Sequence, residues 1–476
     1  MEDIKYINLI ISTNIAEYSN VKGFIILKPY GYKIWYNIKK LFNKILIKNK
    51  YNNVYFPLLI NKKLFNLEYK NIKFIPRECA IVTHTKFKLN KFNKLIIDEK
   101  SKLNEELIIR PTSETIIWST FNKWIESYRD LPILINQWCN IVRLEMKNKM
   151  FLRNSEFIWQ EGHTAHNNKK NAIKEINKIK KIYKNFIKNY LSIPLISGYK
   201  TKNDTFPGAV YTYTFETLTK NKGKSIQLAT IHFLGKNFSK IFNVKYTNNK
   251  GIKKLVWGTS WGISTRLIGA VIMIHNDEKG LILPPKIAPI QVIIIPIIIN
   301  KKIKKKIINI KKNLNKKKIR VEIDNFLNIT PGKKFYKYDN MGIPIKIIIG
   351  KYEIKNNIVL LIRRDNFKKY YLKFNKIFYI KILNILKKIQ VNIYNIAKKN
   401  IKKNTYFIND YNKFKNKINK KRGFIISNWD NNINTELNIQ KETKATIRCI
   451  LKYKKYGKCL YSGKITKTLV VYGKSY

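Results

Sequence analysis

The chain has 476 residues, with 95 Lys+Arg against 29 Asp+Glu and a formal net charge of +66. A hydrophobic fraction of 45% is ordinary for a protein with a real core, which excludes a disordered polycation, a collagen-like chain and a small disulfide scaffold. At roughly 150 residues per domain, the length allows about three domains. The charge suits a polyanionic partner, since Lys and Arg release counterions from phosphates. The excess is mostly Lys, however, and comes with abundant Ile, Asn and Tyr, whose codons are A/T-rich. Compositional drift gives the same balance, and composition alone does not separate the two. Arg is scarce, at eleven residues. An Arg in a chain where Lys is the default needs a reason, and the guanidinium fork on phosphate or carboxylate is one.

The four cysteines, Cys79, Cys139, Cys449 and Cys459, have no close pairing and read as reduced thiols. The N-terminal stretch lacks the charged n-region of a signal peptide. The longest apolar run, Ile287 to Ile299, is too short to span a bilayer and contains Pro289, Gln291 and Pro296. It reads as a buried strand. A cytoplasmic protein with no membrane partner is expected.

In chain order, residues 31–49 put Ile34, Ile38, Leu41, Phe42 and Ile45 on one helical face. Residues 53–60 read as an edge strand, because they carry Pro57. Residues 112–129 begin with capping residues and continue as a helix. Residues 132–146 form a strand that sends Arg143 and Glu145 to one face. After a polar loop with Arg153, residues 157–163 form a second strand with Trp159, Glu161 and His163 on one face. Strand, loop and strand make an antiparallel hairpin with its charges turned to a cleft. A long helix follows at 167–190, then a strand at 225–235, then a Gly-bearing strand that enters a helix near Arg266 over 257–275. Prolines at 284 and 285 mark a boundary.

Strands and helices then alternate in a small α/β domain, with a Lys-rich helix near 301–316. A third region begins near 391 and ends in a strand-like segment. The expected fold is therefore an α+β domain with a mainly antiparallel sheet over 1–285, a small α/β domain over 286–390 and a C-terminal α+β region over 391–476. There is no repeat, no Walker loop, no dinucleotide fingerprint and no zinc-spaced His/Cys cluster.

The chemistry-bearing groups are few. RPTSE at 110–114 offers a helix cap or, alternatively, a hydroxyl and a carboxylate waiting for an ammonium group. The hairpin gathers Arg143, Glu145, Arg153, Trp159, Glu161 and His163, where a merely solvated face in this chain would be Lys and Asn. Ser264-Thr265-Arg266 at a helix start suits a phosphate.

Together these segments resemble the three signature motifs of class II aminoacyl-tRNA synthetases. Motif 1 is the long helix and the strand with Pro57. Motif 2 is the hairpin with Arg143 and Arg153. Motif 3 is the strand and helix with Arg266. The finer text is similar to the prolyl-tRNA synthetase family, in its eukaryotic/archaeal-type branch. The resembling segments include LIIRPTSETI (107–116), FLRNSEFIWQEGHTAH (151–166), GTSWGISTRLIGAVIMIHNDEKGLILPPKIAPIQV (258–292) and ITPGKKFYKYDNMGIPIKIIIG (329–350).

The resemblance implies activation of L-proline by ATP and transfer to tRNA(Pro), with ATP and Mg2+ required and a homodimer expected. It implies that Arg143, Glu145, Arg153, Gln227, Thr230, Ser264 and Arg266 bind ATP, with Arg143, Arg266 and Glu145 catalytic. Thr112, Glu114, Arg143, Trp159, Glu161, His163, Phe206, His232 and Ser260 would hold proline, and Lys334, Arg364 and Asp365 the anticodon. No structural zinc is expected. Cys459 stands at one place where this branch often has a zinc ligand, but Tyr461 replaces the second thiol and 428–437 supplies none. Some bacterial family members carry an editing domain between motifs 2 and 3; the stretch from His163 to Gly258 is tight for one, so no editing in cis is expected. The resemblance also implies a Tyr476 folded toward the catalytic domain. A class II synthetase for another small amino acid, or a non-catalytic RNA-binding paralogue, are the alternatives.

Overall fold

An eleven-stranded sheet organises the molecule, and its order explains where the cleft lies. In this computed structural model, which describes residues 2–72, 78–221, 223–325, 329–375, 377–420 and 422–476, the central strands are Ile196–Tyr199, Tyr211–Leu218, Ser225–Gly235, Trp257–Ser264, Glu156–His166 and Ile133–Val142, in that spatial order and antiparallel throughout. Asn52–Val54 adds a parallel edge beyond Ile133–Val142. At the opposite end the C-terminal strands Thr446–Ile450, Leu469–Gly473, Phe424–Asn428 and Thr405–Phe407 continue the same sheet. The join is the single pairing of Tyr199 with Ile450.

Helices cover one face of this sheet. Pro29–Lys48 starts with Pro at its first position, where a missing N–H costs nothing. It buries Ile34, Trp35, Ile38, Phe42 and Leu46. Lys169–Leu191 is capped by Asn168, whose side chain accepts from the Asn171 N–H at 2.8 Å. The two helices meet where Phe42 packs on Tyr183 and Phe186. The opposite face is left open over the central strands and becomes the cleft.

Several expected boundaries move. The expected strand at 53–60 is two strands: Asn52–Val54 in the large sheet and Leu59–Asn61 in a three-stranded sheet. Pro57 lies between them, where its carbonyl accepts from Arg110 Nη1 at 3.2 Å, and Phe56 C=O accepts from the same nitrogen at 2.6 Å. The strand expected to reach 146 stops at Val142. The helix expected over 112–129 runs only from Glu114 to Trp124.

Residues 292–373 form a five-stranded sheet, ordered Val321–Ile323, Val292–Pro296, Ile345–Ile349, Ile358–Arg363 and Lys369–Lys373. Its first two pairings are parallel and the rest antiparallel. Helices Lys301–Lys316 and Phe378–Lys403 enclose an Ile- and Leu-rich core. The latter helix runs without a break through residue 391 and carries the chain back to the large sheet.

Candidate active site

A cavity of about 1020 Å³ opens over the central strands. Its wall includes thirteen of the residues singled out from sequence: Thr112, Glu114, Arg143, Trp159, Glu161, His163, Phe206, Gln227, Thr230, His232, Ser260, Ser264 and Arg266. Alternation along Glu156–His166 puts Trp159, Glu161 and His163 on the cavity face. The neighbouring strand pairs His163 with Ser260, and the next pairs His232 with Ser260. Three polar side chains thus meet across three strands.

At the floor, Glu161 is 1% exposed and His163 also 1%. Glu161 Oε1 accepts from Ser113 Oγ at 2.5 Å, Gln137 Nε2 at 2.8 Å and Cys139 Sγ at 3.3 Å. Its Oε2 lies 3.1 Å from His163 Nε2. Burial alone would depress the His163 imidazolium, but the Glu161 hydrogen bond and the field of Glu114 raise its pKa above the ordinary value. Burial likewise opposes the Glu161 charge, but His163 together with the Ser113 and Gln137 hydrogen bonds outweighs it, holding the carboxyl below its usual range. His163 Nδ1 is buried with no partner among the described residues. A buried polar atom left open is costly unless something meets it.

Glu114 is 3% exposed. It accepts from Ser260 Oγ at 3.2 Å and from Thr112 Oγ1. Thr112 is therefore no helix cap: the N-cap of this helix is Ser113, whose hydroxyl goes to Glu161 instead. Across the cavity the Phe206 ring lies 4.6 Å from that of His232. Burial, with His163 and Arg143 adding, pushes His232 down to about 3, so this imidazole is neutral. Thr212 Oγ1 sits 2.9 Å from its Nδ1. The floor sets a histidine whose pKa is raised beside a neutral one, with two carboxylates.

The arginines are braced from behind. Arg143 Nε donates to Pro111 C=O at 2.8 Å and Arg266 Nε to Leu152 C=O at 3.0 Å. Among the described residues no carboxylate forms an ion pair with either. Their terminal nitrogens face the cavity, and the charges sit close enough that Arg266 helps lower the Arg143 pKa, after burial. Tyr476 lies beside Arg266, its ring 5.9 Å from the guanidinium and its hydroxyl donating to Leu152 C=O at 2.8 Å.

Other expected residues fall elsewhere. Glu145 and Arg153 do not line the cavity; Arg153 Nε pairs with Glu145 Oε2 at 3.0 Å at its half-exposed rim. Glu145 does not share a strand face with Arg143, because the strand has already ended. The three residues expected at the anticodon are buried and paired in this conformation. Lys334 Nζ lies 2.7 Å from Asp324 Oδ2. Arg364 is 1% exposed, with its two terminal nitrogens on the Asp277 carboxylate at 2.6 and 2.5 Å and its Nε on Asp339 C=O at 2.8 Å. Asp365 is gripped by Arg363 at 2.9 and 2.6 Å. Lys334 and Asp365 are thus paired within their domain, while Arg364 reaches across the boundary prolines to Asp277.

Sequence reading missed the cradle of Glu161, made by Ser113, Gln137 and Cys139. Period-two alternation from Gln137 to Cys139 was the available signal. It also missed Lys200, Thr212 and Arg448 on the cavity wall. Near Cys459, Tyr411 and Tyr461 hydroxyls donate to Glu442 at 2.9 and 3.2 Å. Among the described residues no group of three His, Cys, Asp or Glu is placed to hold a metal.

Residues 92–275 match the tRNA synthetase class II core domain (G, H, P, S and T) family, 291–382 the anticodon binding domain family and 411–476 the prolyl-tRNA synthetase C-terminal family. A proline--tRNA ligase of Azobacteroides pseudotrichonymphae is 48% identical over 455 residues, covering 94% of this chain and 91% of that one. One from Amoebophilus asiaticus is 44% identical, covering 99% and 97%. The crystal structure of a Cryptosporidium parvum prolyl-tRNA synthetase with L-proline and AMP superposes with a TM-score of 0.90 at 35% identity, covering 99% of this chain and 94% of that one. On this fold, this cavity and these likenesses, the chain belongs to the proline--tRNA ligase family of class II aminoacyl-tRNA synthetases.

Proposed function

We propose that the chain activates L-proline with ATP to prolyl-adenylate and transfers the prolyl group to the 3′ end of tRNA(Pro). The observation that carries this is a cavity with two open arginines at one end and a buried carboxylate–histidine floor at the other. Proline is a small apolar ring with one cationic nitrogen and one carboxylate. Glu114, with Thr112 and Ser260 on its oxygens, receives the imino group. Trp159, Phe206 and the neutral His232 enclose the ring. The unpartnered His163 Nδ1 offers a hydrogen-bonding site inside the pocket, while Glu161 fixes that ring from behind.

In the first step a proline carboxylate oxygen attacks the α-phosphorus of ATP and pyrophosphate leaves. Charge grows on the phosphate oxygens, so catalysis rests on placed donors and needs no covalent protein intermediate. Arg143 takes the α-phosphate and Arg266, beside Ser264, the outer phosphates. Gln227 and Thr230 meet the ribose. Glu145 and Arg153 act at the rim, with Arg153 swinging from Glu145 to the outer phosphates as ATP enters. Mg2+ bound with ATP would be met by the Glu145 carboxylate at the rim and would neutralise charge on the phosphates.

The C-terminal regions divide as 286–390 for anticodon binding and 391–476 for the last domain, after a catalytic domain at 1–285. The anticodon domain presents its surface to the RNA, with Lys334, Arg364 and Asp365 shaping it from beneath. The chain reads as the eukaryotic/archaeal-type branch. Support comes from the 95-residue stretch between motifs 2 and 3, which is filled by a helix and strands of the common fold, and from the match at 411–476. A homodimer is supported by the exposed apolar hairpin Phe87–Leu89 and Leu95–Ile97, where Phe87, Leu89, Phe92 and Leu95 are 61–82% exposed. Sedimentation of Phe87→Asp as a monomer, against a dimeric parent, tests it. Free cysteines support a cytoplasmic location, and among the described residues no helix is long and apolar enough to cross a membrane.

Amino-acid-dependent ATP–pyrophosphate exchange tests the activity. Exchange with proline alone is expected. Exchange with threonine or serine instead, or none at all, overturns it.

A further inference from the structure

The wall of the cavity contains a residue from the far C-terminal region. Arg448 lies on Thr446–Ile450 and lines the cavity alongside Lys200. Its Nε and Nη2 both reach Glu216 Oε2, at 3.1 and 2.9 Å. Glu216 is fully buried and Arg448 is 8% exposed. The other Glu216 oxygen accepts from Thr214 Oγ1 at 2.8 Å and lies 3.6 Å from Lys200 Nζ, which in turn lies 3.5 Å from Asp204. A second tie runs beside the first: Thr201 Oγ1 donates to Glu436 Oε1, from the helix Ile433–Thr443, at 2.9 Å.

Both ties converge on one short segment. Residues 200–206 leave the sheet at Tyr199, lack regular secondary structure and carry Phe206 to the His232 ring. The segment's own bonds are short-range, Asp204 N–H to Thr201 Oγ1 at 3.3 Å and Thr205 Oγ1 to Thr201 C=O at 2.8 Å. Such a turn is rigid within itself and is oriented by what holds its two ends: Thr212 Oγ1, which accepts from the Phe206 N–H at 3.0 Å, and the partners of Lys200 and Thr201 at its base. Lys200 and Thr201 are that base: Thr201 is held from the C-terminal region directly, through Glu436, and Lys200 indirectly, through the Glu216 carboxylate that Arg448 grips. Glu216 also pairs with Gln227 at a register shift in the sheet, so the same buried charge braces the strand behind the cavity.

We propose that Arg448 and Glu436 are positioning residues for the active site. They clamp segment 200–206 from the C-terminal region and so set how closely Phe206 covers the amino-acid pocket. The catalytic cavity is then completed by the C-terminal region, which acts on amino-acid binding without touching the reacting atoms. This rests on the reading of the cavity as the prolyl-adenylate site; wild-type protein that exchanges pyrophosphate with no amino acid defeats that reading, not the clamp.

The test uses the full chain and pyrophosphate exchange at varied proline and varied ATP. Arg448→Met alone strands a buried Glu216 charge and risks the fold. The pair Arg448→Met with Glu216→Gln removes the tie and leaves Lys200 with Asp204 as its counter-charge. The clamp predicts that the KM for proline rises about tenfold while kcat and the KM for ATP each change less than about threefold. Thr201→Val cuts the second tie with no change of charge and is expected to raise the proline KM about threefold. A proline KM within twofold of wild type in both variants overturns the proposal. So does a fall in kcat with the proline KM unchanged, which is what a loss of general integrity produces.

Discussion

The catalytic cavity and the α/β domain both bury charge, and they do so in opposite ways. In the cavity, Arg143 and Arg266 are held at Nε by backbone carbonyls and keep their forks open. In the α/β domain, Arg364 spends both terminal arms on Asp277, at 2.6 and 2.5 Å, and Arg363 its Nε and Nη2 on Asp365, at 2.9 and 2.6 Å. The guanidinium is the same; its partner decides whether it is a binding group or a rivet. A scarce Arg is thus a pointer to an anion, and only the structure says whether that anion is already in the chain.

The sharpest way to break this contrast is at Arg143. Arg143→Ala should lower kcat/KM in proline-dependent exchange by about 10²–10³-fold, with the thermal midpoint unmoved. An Arg that was merely structural would give the reverse.

A third kind of burial lies behind the pocket. Glu68 is 8% exposed and accepts from Thr115 Oγ1, one residue beyond Glu114. Burial raises its pKa to about 7, despite the Thr115 hydrogen bond. A folded value above the unfolded one means that stability is fully present below about pH 4.5 and is lost as pH rises through about 7. The loss is about 3 kcal/mol. Glu68→Gln should therefore abolish that slope in urea melts between pH 5 and 8. An unchanged slope assigns it to other groups.

Arg364→Met carries a smaller expected effect, about 2 kcal/mol of stability, because it strands Asp277 and the Asp339 carbonyl. Exchange activity per folded molecule should persist, and an activity loss matching that of Arg143→Ala would collapse the distinction between the two regions. Smallest is the salt dependence of tRNA binding. Its slope should count about ten phosphate contacts or fewer, far below the net charge, and Lys334→Met should leave the slope where it is, since that ammonium is committed to Asp324.

Much of the site was legible because its parts are local. Trp159, Glu161 and His163 alternate on one strand, and their common face follows from a period of two. Ser264 and Arg266 announce themselves at a helix start. What was not legible depends on where a strand stops or on residues hundreds of positions away. The end of the strand at Val142 turns Glu145 to Arg153 and away from the cavity. Pro57 divides what looked like one strand into two, in different sheets. The identical fork chemistry of Arg364 looked available because its partner, Asp277, sits 87 residues earlier in the chain. The same distance hides Arg448, whose partner Glu216 is 232 residues back.

The single pairing of Tyr199 with Ile450 also sets a schedule. A nascent chain leaves the ribosome at about 5–20 residues per second. The strands from Ile133 to Ser264 emerge first and can pair among themselves, yet the strand that extends their sheet, with Arg448 on it, is made some 250 residues after Tyr199. For that interval, lasting roughly 12–50 s at those rates, one sheet edge and the buried Glu216 wait uncovered. The sheet that carries the catalytic cavity is thus extended, and its Glu216 covered, long after the cavity's own strands have been made.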